Sequence, residues 1–172
     1  MVDEKQKIVV ITGPTATGKT SLAVKLAHRF DGEIVSADSM QVYRCMDVGT
    51  AKPTVEERQG IPHHLMDVVD PDEAFNAAIF RSLATPIIED LKERNKTCFL
   101  VGGTGLYIKS LLGGLMHCPP SDPLYRVKLQ TQYEKNGPRA MHKRLAELDP
   151  ESAGKIHPND KVRIIRALEI IH

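Results

Sequence analysis

The chain has 172 residues, of which 41% are hydrophobic and 26% are charged, and its formal net charge is +1. This composition is typical of a globular protein with one good core and room for a small additional lobe. It contains no apolar run of transmembrane length and no signal-peptide pattern, so we expect a cytoplasmic protein without a membrane partner. Its three widely spaced cysteines lack a CxxC pair, which argues against a disulfide framework and against a zinc site.

The chain opens with the pattern of a strand, a glycine-containing loop and a helix. The apolar run Lys7–Thr12 predicts the strand, and Lys19–Phe30 predicts an amphipathic helix with Leu22, Leu26 and Phe30 on one side. The segment between strand and helix fits GxxxxGK[ST], the pattern of a phosphate-binding loop. Its residues are Gly13, Pro14, Thr15, Ala16, Thr17, Gly18, Lys19 and Thr20.

Each part of this loop has a physical reason to bind phosphate. The glycines let the backbone curl until successive N–H groups converge on phosphate oxygens at a helix N-terminus. Lys19 adds a positive charge, and the hydroxyl of Thr20 is placed for Mg²⁺. The loop therefore predicts a di- or triphosphate ligand.

Strands and helices alternate up to about residue 116. The next predicted strands are Glu33–Ala37, the short His64–Val69 and Thr97–Val101, which resembles a buried strand. A helix is predicted over Asn76–Arg94, in which Pro86 should produce a kink or split the helix in two. This alternation is typical of an α/β domain with a parallel sheet.

Beyond Cys118 the pattern is helical only. We place a boundary at Met116–Ser121, between an α/β core over residues 1–118 and a helical lobe over residues 119–172. The second segment carries 10 Lys/Arg against 7 Asp/Glu, which makes it the better candidate for contact with a polyanion. Its predicted helices are Asp122–Lys135, Pro138–Leu148, a turn at Glu151–Ile156, and Asp160–His172. Ser121-Asp122 is the predicted N-cap of the first, Gly137-Pro138 a stop and restart, and Asn159 or Asp160 the cap of the last.

Two further side chains should meet the phosphate loop. Asp38 follows the second strand and Thr104 follows the strand Thr97–Val101, and parallel strands present their ligands at their carboxyl ends. A carboxylate at this place could hold Mg²⁺ through water or act as a general base. The loop alone does not distinguish a kinase, a GTPase, an ATPase and a transferase with a diphosphate leaving group.

Six segments resemble the N-terminal portion of the tRNA dimethylallyltransferase family. They are GPTATGKT (Gly13–Thr20), SADSMQVY (Ser36–Tyr43), MDVGTAKP (Met46–Pro53), PHHLMDVVDP (Pro62–Pro71), VGGTGLYIK (Val101–Lys109) and HPNDKVRIIRALE (His157–Glu169). The resemblance implies an α/β fold like that of P-loop nucleoside-triphosphate hydrolases, with a parallel sheet flanked by helices and an all-helical insertion lobe. It implies dimethylallyl diphosphate as donor, Mg²⁺ as cofactor, and the anticodon stem-loop of tRNA as partner.

The resemblance also implies roles for individual residues. Residues 15–20 would hold the diphosphate, Lys19 would neutralise its charge, and Thr20 would bind Mg²⁺. Asp38 matches the general base that accepts a proton from the exocyclic amine of a flipped-out adenosine. The positions that match tRNA-contacting residues are Asp38, Ser39, Met40, Gln41, Thr104, Arg126, Val162, Arg163, Ile164, Ile165 and Arg166.

Other interpretations stay open. The loop would also serve a small-molecule or nucleotide kinase using ATP, although the strand Thr97–Val101 ends in Gly-Gly-Thr without a carboxylate for Mg²⁺. An adenylate isopentenyltransferase and a non-enzymatic RNA-binding module are the remaining alternatives. Since the family continues beyond Ile170–His172, which lies inside a predicted helix, we expect a fragment, and we favour a monomer.

Several residues have a plainer interpretation. For His63 and His64 we favour a turn or packing role over metal binding. Tyr107 is expected in the core, and Cys98 should behave as a small buried hydrophobe. A helical face of Arg139, Lys143 and Arg144 could contact RNA phosphates or could be solvated surface.

Overall fold

The computed structural model describes residues 8–114 and 122–172. They belong to two compact units, divided between Leu115 and Met116. The boundary that we placed at Met116–Ser121 lies outside the described residues, as does Cys118. Among the residues described, no helix has both the length and the apolar character needed to cross a membrane.

The first unit is built on a sheet of four parallel strands in the order β1-β4-β2-β3. Thr12 pairs with Gly102, and Ser36 pairs with Val101, so β1, β2 and β4 end at the same edge of the sheet. The predicted α/β fold with a parallel sheet is therefore confirmed. The strands are β1 (Ile8–Thr12), β2 (Gly32–Ser36), β3 (His63–His64) and β4 (Thr97–Gly102).

Helices cover both faces of this sheet because side chains alternate along its central strands. Val35 and Leu100 belong to one core cluster with α3 and α4, whereas Ile34 and Phe99 belong to another with α1. Tyr107 and Cys98 are buried in the first of these clusters, as expected. The helices of this unit are α1 (Lys19–Arg29), α2 (Val55–Arg58), α3 (Ala77–Glu93) and α4 (Gly105–Gly113).

The buried face of α1 differs from our expectation. Leu22 and Phe30 are 49% and 53% exposed, and the residues against the sheet are Ala23, Val24 and Ala27. Small side chains at these positions let the helix backbone come close to the strands. Because the phosphate loop leads directly into α1, this close packing also fixes the position of the loop.

Two other predictions need correction. The strand expected over His64–Val69 ends at His64, because Leu65 and Asp67 take positive φ angles of 61° and 55° that no strand accommodates. Of the kink and the split that we predicted at Pro86, the split is wrong, because α3 runs unbroken over Ala77–Glu93, and the kink stays a prediction. Pro86 lies on an exposed part of the helix, where water can solvate the carbonyl group that loses its partner.

The second unit contains three helices around its own core. Asp122 caps α5 by accepting from the amide of Tyr125 at 3.0 Å, and Gly137, at φ 80° and ψ 167°, interrupts that helix where we predicted a stop and restart. Asp160 caps α7 in the same way, which makes it the cap among the two residues that we predicted, Asn159 and Asp160. The helices are α5 (Pro123–Leu148), α6 (Pro150–Lys155) and α7 (Lys161–Ile171). The core residues are Leu129, Met141, Leu145, Ala153, Ile164, Ile165 and Leu168.

Candidate active site

A cleft of about 460 Å³ lies at the carboxyl ends of β1, β2 and β4. The phosphate loop forms one wall with residues 15–20, and Asp38 and Gly102–Gly103 follow the strand ends. Residues between 50 and 66, a segment that includes α2 and β3, form much of the remaining wall. The structure thus brings the phosphate loop and Asp38 into one cavity, at the edge of the sheet where we expected them.

The phosphate loop has the backbone geometry that its glycines permit. Gly18 takes a left-handed conformation at φ 77° and immediately precedes α1, so the first amides of that helix face the loop. The hydroxyl of Thr17 donates to the carbonyl of Pro14 at 2.9 Å, and the ammonium of Lys19 donates to the same oxygen. The Lys19 charge and the helix N-terminus are therefore presented together, which suits an anionic ligand.

A close approach of two backbones positions Asp38. A Cβ atom at Gly102 would lie 2.2 Å from the carbonyl oxygen of Ala37, so only glycine allows β4 to pass this near. The Ala37 amide donates to Val101 at 2.7 Å, and its carbonyl accepts from the amide of Thr104 at 3.1 Å. Both backbone polar groups of Ala37, the residue before Asp38, are therefore hydrogen-bonded to β4 or to the segment that follows it.

Asp38 itself caps a tight turn. Its Oδ1 accepts from the amides of Met40 at 2.9 Å and Gln41 at 3.4 Å, while the hydroxyl of Thr104 accepts from the amide of Ser39 at 2.9 Å. In the described part of the chain, Oδ2 of this half-buried carboxylate has no hydrogen-bond partner. Oδ1 therefore fixes the turn, whereas Oδ2 is available to interact with a ligand.

Gln41 has an internal role in addition to the tRNA contact that we predicted, which stays a prediction. Its side chain is buried, and its Oε1 accepts from the hydroxyl of Ser36 at 3.2 Å. Its Nε2 lies 3.2 Å from the carbonyl oxygens of both Thr50 and Ala51. Gln41 thus joins the end of β2 to the loop that forms the opposite wall of the cleft.

His63 is a cleft residue whose place the sequence did not indicate. Its Nδ1 lies 2.8 Å from the carbonyl oxygen of Ile61, whereas its buried Nε2 has no hydrogen-bond partner among residues 8–114 and 122–172. Burial lowers the pKa of this imidazole, which favours the neutral ring. The β3 pairing that places His63 beside Ile34 covers only two residues, too few for a periodic signal.

The structure shows no group of three or more His, Cys, Asp and Glu side chains arranged for a metal ion within the described ranges. This finding leaves open a magnesium ion that is held mainly by phosphate oxygens and water, since such ions use one or two protein ligands. Thr20 lines the cleft beside Lys19, where its hydroxyl could serve as one of them.

The remaining predicted tRNA-contacting residues lie in the second unit, at the start of α5 and along α7. Arg126 and Arg166 both pair with the buried Glu169. Val162 is 78% exposed, but Ile164 and Ile165 are buried in the core of this unit. The side chains of these two isoleucines are structural, because every third or fourth residue of α7 faces α5.

The family model for IPP transferase matches residues 41–172 of this chain. The tRNA dimethylallyltransferase 2 of Geotalea uraniireducens is 56% identical over 172 residues, covering 99% of this chain and 56% of the relative. The tRNA dimethylallyltransferase of Geobacter metallireducens is 54% identical, and the match covers 98% of this chain and 54% of the relative. The chain therefore spans about half the length of the curated relatives it matches.

Solved structures show the same similarity. A tRNA isopentenylpyrophosphate transferase from Bacillus halodurans is 50% identical with a TM-score of 0.65, covering 97% of this chain and 55% of that one. A eukaryotic dimethylallyltransferase acting on tRNA is 35% identical with a TM-score of 0.81, and the match covers 97% of this chain and 42% of that one. Since the family model matches most of the sequence, this chain belongs to the IPP transferase family.

Proposed function

We propose that the protein to which this chain belongs transfers a dimethylallyl group from dimethylallyl diphosphate to the exocyclic amine of an adenosine adjacent to the anticodon in tRNA. The observation that carries the proposal is that the phosphate loop and Asp38 line one cleft. The names of the relatives, which are tRNA dimethylallyltransferases and tRNA isopentenylpyrophosphate transferases, support it.

The donor would bind through its diphosphate. Residues 15–20 supply backbone amides and the Lys19 ammonium, which stabilise the negative charge that grows on the leaving group as the allylic C–O bond breaks. The strand, loop and helix around the GxxxxGK[ST] sequence also support a fold of the P-loop nucleoside-triphosphate-hydrolase type. Donor binding therefore depends on the loop and not on Asp38.

Mg²⁺ fits this arrangement with Thr20 as its protein ligand. A magnesium ion keeps several waters and takes few protein groups when phosphate oxygens are present, so a lone hydroxyl beside Lys19 suffices. When bound, the ion supplies charge neutralisation for the diphosphate. The loop amides and Lys19 act on the same charge.

Asp38 would act on the acceptor. A bond forms between the amine nitrogen of adenine and the allylic carbon, the C–O bond to diphosphate breaks, and the amine proton passes to Oδ2 of Asp38. The adenosine must leave its stack to present that amine. We assign its contacts to Ser39, Met40 and Gln41, of which Gln41 lines the cleft. The Thr104 hydroxyl holds the Asp38 turn in place through Ser39.

The test is transfer of label from dimethylallyl diphosphate to RNA. The protein is incubated with Mg²⁺, labelled donor and an unmodified tRNA, and parallel reactions contain adenosine monophosphate as acceptor or γ-labelled ATP as donor. Label on tRNA supports the proposal, label on the free nucleotide indicates an adenylate isopentenyltransferase, and transfer from ATP indicates a kinase. A tRNA acceptor implies a cytoplasmic enzyme, and we propose that it works as a monomer.

A further inference from the structure

We infer that Glu169 is a positioning residue that holds the guanidinium groups of Arg126 and Arg166 together as a phosphate-binding pair for RNA. The inference rests on the proposed function, because it takes the acceptor to be RNA. Glu169 itself makes no contact with RNA in this account, and it acts only through the two arginines.

The geometry centres on one carboxylate. Oε2 of Glu169 accepts from Arg126 Nη2 at 2.6 Å and from Arg166 Nη1 at 2.8 Å, and Oε1 accepts from the backbone amide of Asp122 at 2.9 Å. Arg126 belongs to α5, whereas Arg166 and Glu169 belong to α7. A single acidic side chain thus brings two cations from different helices to the same point.

Burial separates the roles of these side chains. The Glu169 side chain is 2% exposed, whereas those of Arg126 and Arg166 are 39% and 32% exposed. Burial of a carboxylate carries an unfavourable desolvation free energy, and a well-packed apolar residue at such a place often stabilises a fold equally well or better. The carboxylate at this position therefore has a use besides packing, and the two groups that it orients reach the surface.

The arginine pair has the chemistry of a phosphate site. A guanidinium carries five N–H donors, and in the described residues Arg126 uses one of them, for Glu169. Two arginines and one glutamate leave a local charge of +1, and the planar forks suit the paired oxygens of a phosphate. Arg163, whose side chain is 72% exposed, lies on the same helix, where it pairs with Asp160 at 3.4 Å.

A Glu169→Gln variant tests the inference, because a positioning role and the change of charge alone predict opposite changes in RNA affinity. Glutamine keeps the size of the side chain and removes a negative charge close to the bound RNA. Charge alone would tighten RNA binding, since the cluster would become more positive. Loss of positioning would weaken it by about tenfold or more, the equivalent of one charge-assisted hydrogen bond.

The binding measurement uses the protein and an unmodified tRNA anticodon stem-loop over a series of salt concentrations. Glu147→Gln is the matched control, because Glu147 is an exposed carboxylate of the same unit that forms no ion pair within residues 8–114 and 122–172. The RNA affinity of this variant should stay within about twofold of wild type. The double variant Glu169→Gln, Arg126→Gln should bind RNA only slightly more weakly than Arg126→Gln alone, since both substitutions act through one contact.

A second variant keeps the inference testable if Glu169→Gln lowers the thermal stability of the unit. Arg126→Lys preserves the charge and loses the fork, so it should also weaken RNA binding about tenfold while the salt slope stays near that of wild type. Unchanged or tighter binding by Glu169→Gln, or full affinity in Arg126→Lys, overturns the inference and leaves the proposed function standing. A wild-type protein that binds pyrophosphate but no RNA overturns both.

Discussion

The hydroxyl of Thr104 accepts a hydrogen bond from the amide of Ser39 at 2.9 Å, although the two residues are 65 positions apart. The contact joins the segment after β4 to the turn that carries Asp38. Together with the bond from the Thr104 amide to the carbonyl of Ala37, it fixes the direction in which the Asp38 carboxylate faces the cleft.

Thr104→Val should lower turnover by roughly tenfold or more with little change in pyrophosphate affinity. Valine has the shape of threonine but leaves the Ser39 amide without its acceptor, so the Asp38 turn shifts relative to the donor. Thr104→Ser keeps the hydroxyl and should retain most of the activity. The measurement is single-turnover prenyl transfer beside a pyrophosphate titration, and equal rates for the valine and serine variants would contradict the role given to Thr104.

Gly102→Ala should destabilise the first unit and impair donor turnover together. The new methyl group would meet the Ala37 carbonyl at 2.2 Å, so β4 or the Asp38 segment must move, which costs about 1–3 kcal/mol or more. Gly105→Ala is the control, because a Cβ there meets nothing within 4 Å and alanine favours a helix. Thermal unfolding compares the two, and equal midpoints would show that the strands do not need this close approach.

Patterns with a clear local cause could be predicted from the sequence. The alternation of strands and helices and the caps at Asp122 and Asp160 depend on neighbouring residues, and the structure confirms them. The phosphate-loop pattern is also local, and the binding of phosphate by it stays a prediction. The wall of the cleft over residues 50–66 could not be predicted, because tertiary contacts hold it. Gln41 reaches Thr50 and Ala51, and buried Lys52 reaches Asp47 and Asp67.

The same limit explains why the buried face of α1 was predicted wrongly and why the sequence did not indicate the contacts of Glu169. The hydrophobic spacing of Leu22 and Phe30 indicates a helix correctly but does not say which face meets the sheet. Nothing in the local sequence marks Glu169 as buried, since a glutamate in a helix usually faces water. Its burial depends on Arg126, which lies 43 positions away.

Glu33→Gln should lower the free energy of unfolding at neutral pH by about 1–3 kcal/mol. The buried Glu33 accepts from both Nη atoms of Arg94, at 2.6 and 3.2 Å, and its Oε2 lies 2.7 Å from His64 Nε2. The Arg94 hydrogen bond is the main cause that lowers the pKa of this carboxyl below its ordinary value of 4.5.

The stability from Glu33 is therefore present above pH 4.5 and is lost as the pH falls through its lowered pKa. Wild type should lose stability over this range more steeply than Glu33→Gln, as measured by denaturant unfolding at a series of pH values. Glu89→Gln, at an exposed position of α3, should follow the wild-type curve. Parallel curves for wild type and Glu33→Gln would show that the ion pair adds nothing.

Lys19→Ala should weaken pyrophosphate binding by at least about tenfold, since a charge-assisted contact contributes roughly 1.5–3 kcal/mol. Lys109→Ala removes an equal charge from the exposed part of α4 and should leave the affinity unchanged. Calorimetric titration with pyrophosphate and Mg²⁺ measures both variants. A Lys19→Ala protein with wild-type affinity would exclude the phosphate loop as the donor site.

Asp38→Asn separates prenyl transfer from kinase chemistry at a single side chain. Asparagine keeps an oxygen at the Oδ1 position, so the bonds from the amides of Met40 and Gln41 persist and the turn survives. It removes the basic oxygen that would take the amine proton. Turnover should therefore fall by roughly 10²–10⁴, while pyrophosphate affinity stays nearly unchanged because the phosphate loop is intact.

A kinase in which Asp38 served Mg²⁺ would respond differently, because nucleotide affinity would fall together with the rate. Single-turnover transfer to tRNA and an independent titration with pyrophosphate and Mg²⁺ distinguish the two outcomes. Asp72→Asn, at an exposed carboxylate outside the cleft, controls for the loss of one negative charge. If Asp38→Asn retains turnover within a few-fold of wild type, the carboxylate only shapes the turn, and the amine proton passes to another group or directly to water.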